Sequence, residues 1–559
     1  MFIKRSWNPR LKNPKIHKQL VESYWDPDAK VSRHRTIANI TDWPDHVVEA
    51  LELALKNKTL IDVEGISFTT GDPYRGAGSL AIYHLWKKWN MDHALGSLSE
   101  ATRQSIFLMV VQRILDPGSK LALQRSLDDT IFSRVFSRNR FDEDSLYETM
   151  DELHKVFYEV QEKLMENRSA PPTLLLYDIT SSYFEGTHAD DAKYGYSRDK
   201  RWDRYQIVIG LVCDENGIPL AVEVWPGDTV DKTTVVEQVN ALKMRFGIEE
   251  AIFVGDKGMY SSTNIEALSE NGFKYILGLD WREQREQLIA RSPQQLELFD
   301  KIGVIEWEDN GTRYIGCASE LRRERDAARR QNAMEEVEKE LRRLQETCRK
   351  GAYYSHVRLH AKIEKLLKDH HVKRLWNIRI VPLEEGKSPE QKARFELQFS
   401  PCQEEIARQE LLDGKYVLET TVSSQQMSPG EVERSYKLLK HAERGFRHIK
   451  SFLEIRPMYH HLRRRIRAHV LICFLAYYLV KQCELEFRAQ GETREVEEIL
   501  RRWDKLRLTH QTLRAEGYES ANWNWQLGEL GVSIKNEVSK LGLWRAVEKC
   551  RHSLLANVS

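Results

Sequence analysis

Apolar positions recur at helical spacing from about residue 76 to 168, as at Ile106, Leu108, Met109, Val110, Ile114 and Leu115. The pattern stops at Asp116-Pro117-Gly118-Ser119, a combination that favours a turn. After Pro171-Pro172 the period changes. Residues 173–177 form a short, nearly continuous apolar run, which predicts a buried strand that ends at Asp178. A second strand is predicted over 205–212, a hairpin turn at 214–217 (Asp-Glu-Asn-Gly), and a third strand over 218–225. A helix over 233–246 leads to a fourth strand at 251–254, ending at Gly255-Asp256. A helix over 261–270 and a fifth strand over 273–279 complete the series.

Three strands joined as a meander, then helix, strand, helix, strand, is the order of a ribonuclease-H-like α/β core, a mixed sheet flanked by helices. Residues 286–428 read as a β-rich and helical insertion. They contain a strand-like piece at 303–317 and a long charged helix over 320–349. On that helix Met334, Val337, Leu341, Leu344 and Cys348 repeat at spacings of three and four. A second helix over 353–368 is expected to pack against it. Further strand-like pieces fall at 375–381, 395–399 and 416–421. The expected organisation is an N-terminal region (1–75), a helical domain (76–168), the first part of the core (169–285), the insertion (286–428), the second part of the core (429–480) and a C-terminal helical region (481–559).

With 559 residues, 41% of them hydrophobic and 30% charged, the chain is expected to be a multi-domain globular protein. The net charge of +1 argues against a protein that coats nucleic acid, but it permits local basic surfaces. Seven scattered cysteines without a CxxC pair predict reduced thiols in a cytoplasmic protein, with no zinc ribbon. The basic N-terminal stretch lacks the apolar segment of a secretory signal. The longest apolar run, 470–480, is shorter than the ~20 residues that cross a bilayer, so a core helix and no membrane partner are expected.

The candidate chemistry rests on carboxylates. Cleaving and rejoining phosphodiesters requires in-line attack on phosphorus, which two divalent ions can promote. Such ions take carboxylate oxygens as ligands. Asp178 and Asp256 each stand at the end of a strand that neighbours the other in this fold, and Glu443 lies on a later helix that can face them. Asp228 and Asp231 compete with them, but both follow the third strand, whose end is expected to point away. They read as turn residues.

Residues 436–450, from Tyr436 through Glu443 to Lys450, resemble the YREK signature, Y-x2-R-x3-E-x6-K, of cut-and-paste transposases of bacterial insertion sequences. Segments around Arg113 to Lys120, Tyr177 to Ser181, Val254 to Tyr260 and Arg456 to His469 are also similar to that family, so the likeness spans roughly 76–480. The resemblance implies a DDE transposase with Asp178, Asp256 and Glu443 as catalytic residues and metal ligands. It implies two Mg2+ ions, with Mn2+ as a substitute, acting on double-stranded DNA at terminal inverted repeats. Transfer of 3′-OH ends to target DNA and a homodimer on paired ends are implied as well, in a bacterial protein that meets the nucleoid when it acts. Relatives excise through a DNA hairpin.

One position departs from the signature: Leu439 stands where the family has Arg. Lys440, Arg444 and Arg447, spaced along one helix, are candidates to replace it. Tyr436, Lys450, Arg463 and Arg464 are candidate phosphate contacts, with solvated or core roles as the alternative for Tyr436 and the arginines. Arg113, Lys120 and Arg125 are open between solvated charge and DNA contact. Trp281 and Trp307 are the aromatic candidates for stacking on a base, against a core role for each. His370-His371 and His460-His461 read as surface or phosphate-contacting residues. Two other readings stay open: a transposase-derived DNA-binding protein without catalysis, and a nuclease that does not join ends.

Overall fold

The computed structural model describes residues 1–7, 15–56, 66–70, 73–136, 141–186, 188–350, 354–383, 390, 392–515 and 523–527. Phe2–Ser6, His17–Asp26 and Val31–Asn39 form a three-stranded antiparallel sheet at the N-terminus. A helical region follows, with α1 (Ala77–Lys88), α2 (Glu100–Leu115) and α3 (Glu143–Lys155) as its main helices. Its caps are polar. Ser99 accepts from Thr102 N–H at the start of α2, and Asp142 accepts from Ser145 N–H at the start of α3. Helix α2 ends where the Asp116-Pro117-Gly118 turn was expected, and Ser119 caps the next short helix.

One eight-stranded mixed sheet organises the molecule. Its strands are β1 (Leu174–Tyr183), β2 (Gln206–Cys213), β3 (Pro219–Pro226), β4 (Ile252–Gly255), β5 (Lys274–Gly278), β6 (Val304–Asp309), β7 (Thr312–Ala318) and β8 (Lys415–Thr420). They lie in the order β6-β7-β8-β5-β4-β1-β2-β3. Strands β1, β2 and β3 are antiparallel neighbours, whereas β4 is parallel to both β1 and β5. Helices cover both faces. Residues on β1 alternate between two cores: Leu174 and Leu176 enter one, Leu175, Tyr177 and Ile179 the other.

The insertion is less separate than its sequence suggests. Strands β6, β7 and β8 all fall within 286–428, yet they extend the main sheet. The part with its own core comprises α6 (Glu320–Arg349), α7 (His356–Asp369) and the hairpin Trp376–Pro382/Phe395–Pro401. Val337, Leu341, Leu344 and Cys348 of the expected seam pack there with Leu359, Ile363 and Leu397. Earlier in the chain, α4 (Asp231–Phe246) lies on the sheet and α5 (Trp281–Ile289) follows β5.

The chain returns through α8 (Pro429–Lys437), α9 (Lys440–Ser451), α10 (Arg463–Ala489) and α11 (Val496–Asp504). Helix α8 starts with Glu431 accepting from the Ser428 N–H at 2.8 Å and hydroxyl at 2.7 Å, and Pro429 sits in its first turn. Helix α10 is buried from Ala468 to Glu484 and packs on α2 and α3, as a helix apolar on all sides must. Among the described residues no helix is long and apolar enough to cross a membrane.

In the region expected to be helical at the C-terminus, helices extend through α11 and a strand follows. Arg507–Ala515 is a strand that pairs with Trp523–Leu527, Ile66–Thr70 and Tyr74–Arg75. Its partners at 66–75 lie more than 400 residues earlier, beyond the reach of a local pattern. Residues 528–559 of that region lie outside the described residues.

Helices α1 and α11 meet closely. A Cβ on Gly78 would stand 2.4 Å from the Leu500 carbonyl oxygen and 2.8 Å from Asp504 Cβ. Asp504 there accepts from Ser79 N–H at 3.2 Å and Oγ–H at 3.0 Å, and it pairs with Arg75 at 3.0 Å. Alanine would gain about 1 kcal/mol in helix propensity, but the backbone clash outweighs it. Gly78→Ala is expected to lose roughly 1–3 kcal/mol of stability, read as a lower urea midpoint at unchanged slope. A midpoint at or above wild type would show that α1 and α11 do not pack this tightly.

Candidate active site

The parallel pairing of β1 with β4 sets the site. Leu174 is opposite Ile252 and Leu176 opposite Val254, so the same register brings Asp178 level with Asp256. Side chains alternate along a strand. Asp178 therefore shares a face with Leu174 and Leu176, and Asp256 shares one with Val254, which belongs to the same core. That is the face on which α9 packs against β1 and β2. Glu443 lies in the first turn of α9, exposed, while Ala442, Phe446 and Ile449 hold the helix to the core. Gly445 permits close approach to α10: a Cβ there would be 2.9 Å from the Tyr477 hydroxyl.

Strand β1 runs further than the apolar run implied, so Asp178 is inside it rather than at its end. Its neighbour β4 ends at Gly255, and this leaves Asp178 half-buried at the rim of the parallel pairing. Asp178 accepts from Ile179 N–H at 2.8 Å, and Asp256 from Gly258 N–H at 2.9 Å. Burial, with Asp256 and Glu443 adding repulsion, pushes the Asp178 carboxyl up to about 7. Asp256 is also raised, by burial and by Asp231.

Asp231 corrects an expectation. Strand β3 follows two antiparallel reversals, so it runs in the same direction as β1 and its end reaches the same edge of the sheet. A Cβ on Gly258 would be 3.2 Å from Asp256 Oδ1 and 3.4 Å from Asp231 Oδ2. Asp231 is therefore beside the site, in a short ion pair with Arg198. Asp228 pairs outside with Lys193 at 3.0 Å, in keeping with a turn residue. Arg198 was not foreseen: it sits in the loop between β1 and β2, where no periodicity marks it. Its charge offsets part of the repulsion at Asp178 and Asp256.

Among the described residues, the trio whose ligand atoms all lie within 4.8 Å of one another is His448, Glu495 and Glu497. The three acids of the site are spaced more widely. His448 Nδ1 is 3.0 Å from Glu497, and Arg444 closes on Glu495 at 3.1 Å. A guanidinium already meets one of these carboxylates, and the imidazole is hydrogen-bonded to the other. It ties α9 to α11.

The family described as Transposase DDE domain matches residues 169–479, more than half the chain, including the strands and the helix that carry Asp178, Asp256 and Glu443. The chain belongs to that family of DDE transposases. The transposase also matches a cryo-EM structure of the piggyBac transposase synaptic complex with hairpin DNA, at 10% identity over 85% of this chain and 87% of that one. The TM-score is 0.38, too low for the likeness to bear on the assignment. No curated protein matches the sequence.

The transposase's signature segment is not one unbroken helix. Leu438 and Leu439 separate α8 from α9, so Tyr436 and Glu443 lie on consecutive helices. Leu439 is 7% exposed and packs in the core. Tyr436 faces the site. Burial and Asp256 push its phenol up to about 12, so it stays protonated, and its ring packs on Tyr416 at 6.0 Å.

Most of the expected phosphate contacts are already engaged. Arg444 pairs with Glu495 and with Glu484 at 3.3 Å, Lys450 with Asp199 at 2.7 Å, Arg463 with Asp191, and Arg464 with Asp151 at 2.8 Å. Lys440 and Arg447 are exposed and have no ion-pair partner among the described residues. Arg113 is buried and donates to the carbonyls of Gly118, Leu453 and Glu454, which makes it a structural residue; Lys120 is buried as well. The two tryptophans separate. Trp307 donates to Gln287 at 3.2 Å and lies under Arg291 at 3.9 Å, whereas Trp281 is 67% exposed.

The raised Asp178 carboxyl has a stability consequence with a definite sign. Because its folded value lies above the unfolded one, ionisation opposes folding, absent below about pH 4 and complete above about pH 7. In metal-free buffer, Asp178→Asn is therefore expected to melt about 1–3 °C above wild type at pH 8 and level with it near pH 4. Equal melting at both pH values would show that the carboxylate is unstrained.

Proposed function

We propose that this transposase binds the terminal inverted repeats of its insertion sequence, cleaves them by metal-dependent phosphodiester hydrolysis and transfers the 3′-OH ends to target DNA. The observation that carries the reading is the placement of Asp178 and Asp256 level on adjacent parallel strands, facing the helix of Glu443. The order of the first five strands, β3-β2-β1-β4-β5, with β3 to β1 antiparallel and β4 and β5 parallel to β1, supports a ribonuclease-H-like core.

The donors fit divalent cations. They are all carboxylate oxygens, the set that suits Mg2+. Burial is the main cause of the upward shifts of Asp178 and Asp256, the neighbouring carboxylates add to them, and Arg198 offsets part. Two bound Mg2+ ions, with Mn2+ as a substitute, would supply activation of the attacking oxygen and charge stabilisation at the leaving oxygen. Asp178, Asp256 and Glu443 would hold them.

The remaining residues position. The Tyr436 hydroxyl, kept protonated beside Asp256, suits donation to a phosphate oxygen. Lys440 and Arg447, exposed on α9, suit phosphate contact in place of the signature arginine, since Leu439 is committed to the core. Lys450 and Arg456 both hold Asp199, which fixes the loop carrying Arg198. Trp281 is the aromatic side chain available for stacking on a base. A homodimer on paired ends completes the reading.

The experiment is cleavage of duplex DNA carrying the element's ends, in the presence of Mg2+. Asp178→Asn and Glu443→Gln are each expected to reduce strand cleavage by at least about 100-fold while end binding persists. Wild-type cleavage by either variant would remove that residue from the site. Wild-type protein that binds ends but never nicks them would favour the non-catalytic reading, which Leu439 motivates. Joining of pre-cut ends would exclude a nuclease without transfer.

A further inference from the structure

Cations without an ion-pair partner also gather in a second place, away from α9 and α10. A cleft of about 710 Å³ opens between the core and the insertion. On the core side it is lined by Lys257, which follows Asp256, and by α5 with Trp281 and Arg285. On the insertion side are one face of α6 and the end of α7 with the residues after it. Arg322, Asp326, Arg329, Arg330 and Ala333 lie at the four-, three-, one- and three-residue steps that place them on a single face of α6.

Three lining cations have carboxylate partners. Arg330 pairs with Asp413 at 2.6 Å, Lys415 with Asp300 at 2.9 Å and Lys373 with Glu364 at 2.5 Å. The lining acids are engaged too: Asp413 by Arg330, and Asp326 by the Gly414 N–H at 3.1 Å. Six cations remain without an ion-pair partner among the described residues: Lys257, Arg285, Arg322, Arg329, Lys368 and Arg374. Burial and the facing Arg374 hold the Arg285 guanidinium below its ordinary value, so like charges crowd across the cleft. In a chain of net charge +1, such a concentration of unmatched cations needs an anion.

The cleft adjoins the catalytic site through Lys257, the residue after Asp256. The Arg322 guanidinium lies over the Tyr416 ring at 5.2 Å, Tyr416 packs on Tyr436, and Tyr436 faces Asp256. Lys257 is the next residue along the other wall.

We propose that this cleft is a clamp for the phosphate backbone of a single DNA strand, with the six unmatched cations neutralising successive phosphates on its way to the carboxylates. The proposal rests on the DNA-processing reading above. It assigns the strand-gripping role to the insertion's helical face rather than to the arginines of α9 and α10, whose charge is largely matched internally. Charge complementarity carries the choice of a polyanion, and a single strand is slimmer than a duplex for a cleft walled on two sides.

The test uses the full chain in metal-free buffer, with a short single-stranded oligonucleotide of mixed sequence as the probe. The triple variant Arg322→Gln, Arg329→Gln, Arg374→Gln is compared with a charge-matched control on the outer side of the same region, Arg342→Gln, Arg343→Gln, Lys350→Gln. Each phosphate contact contributes about 0.7 to the slope of log affinity against log salt. The cleft variant is expected to lose roughly 2 from that slope and at least about 10-fold in affinity at low salt, with the control unchanged. On wild-type protein, the oligonucleotide is expected to shield Lys257 and Lys368 from chemical acetylation, a readout independent of how any variant folds. An unaltered slope, or full acetylation of both lysines in the complex, would overturn the clamp while leaving the cleavage test of Asp178 and Glu443 standing. Wild-type protein that binds neither the oligonucleotide nor end duplex would overturn both.

Discussion

The parallel pairing of Leu174–Leu176 on β1 with Ile252–Val254 on β4 is the contact on which the rest of the site depends. It fixes a register, and a shift of one residue would turn either aspartate to the opposite core. With the observed register, Asp178 and Asp256 stand level and on the face that receives α9. Everything else reinforces that arrangement. The meander β1-β2-β3 holds one flank, and β5 with β8 holds the other. The site edge is thus formed by strands whose neighbours leave them little room to slide.

Such a site works against the fold that holds it. Two carboxylates half-buried side by side, with a third nearby, are disfavoured in their charged form, and both aspartates are shifted upward. Arg198 and the loop it occupies relieve part of this, and that loop is itself fixed by Asp199 between Lys450 and Arg456. Lys450, which stands at the signature's lysine position, is one of the two residues that hold this loop. A negative site compensated incompletely by protein cations is the electrostatic condition under which divalent ions bind.

Charge elsewhere is arranged in two ways. On α9 and α10 the arginines mostly meet carboxylates from other elements, so their density in the sequence overstates the positive surface they present. Across the cleft between α5 and α6 the reverse holds, and cations that look unremarkable in a highly charged helix remain unmatched. A near-neutral chain can therefore present a cationic path at one place. The insertion contributes both to the sheet, through β6, β7 and β8, and to that path, through α6 and α7, so it belongs structurally to the active region rather than interrupting it.

The sequence by itself determined the first five strands of the core, their order along the chain and the long helices of the insertion, while Glu443 was singled out by the likeness of residues 436–450 to a signature. The strands and helices follow from periodicity and turn chemistry, which act between neighbours along the chain and leave a local imprint. Tertiary structure decided the rest. Asp231 read as a turn residue until two strand reversals carried it back beside Asp256. Leu439 read as a gap in a phosphate grip until its side chain was seen in the core. Arg444, Lys450, Arg463 and Arg464 read as candidate DNA contacts, and only the fold showed that each has a carboxylate partner; Arg507–Ala515 read as helical until residues 66–75 supplied its ladder. Each of these depends on a partner distant in sequence, and pairing through space leaves no period in a single chain.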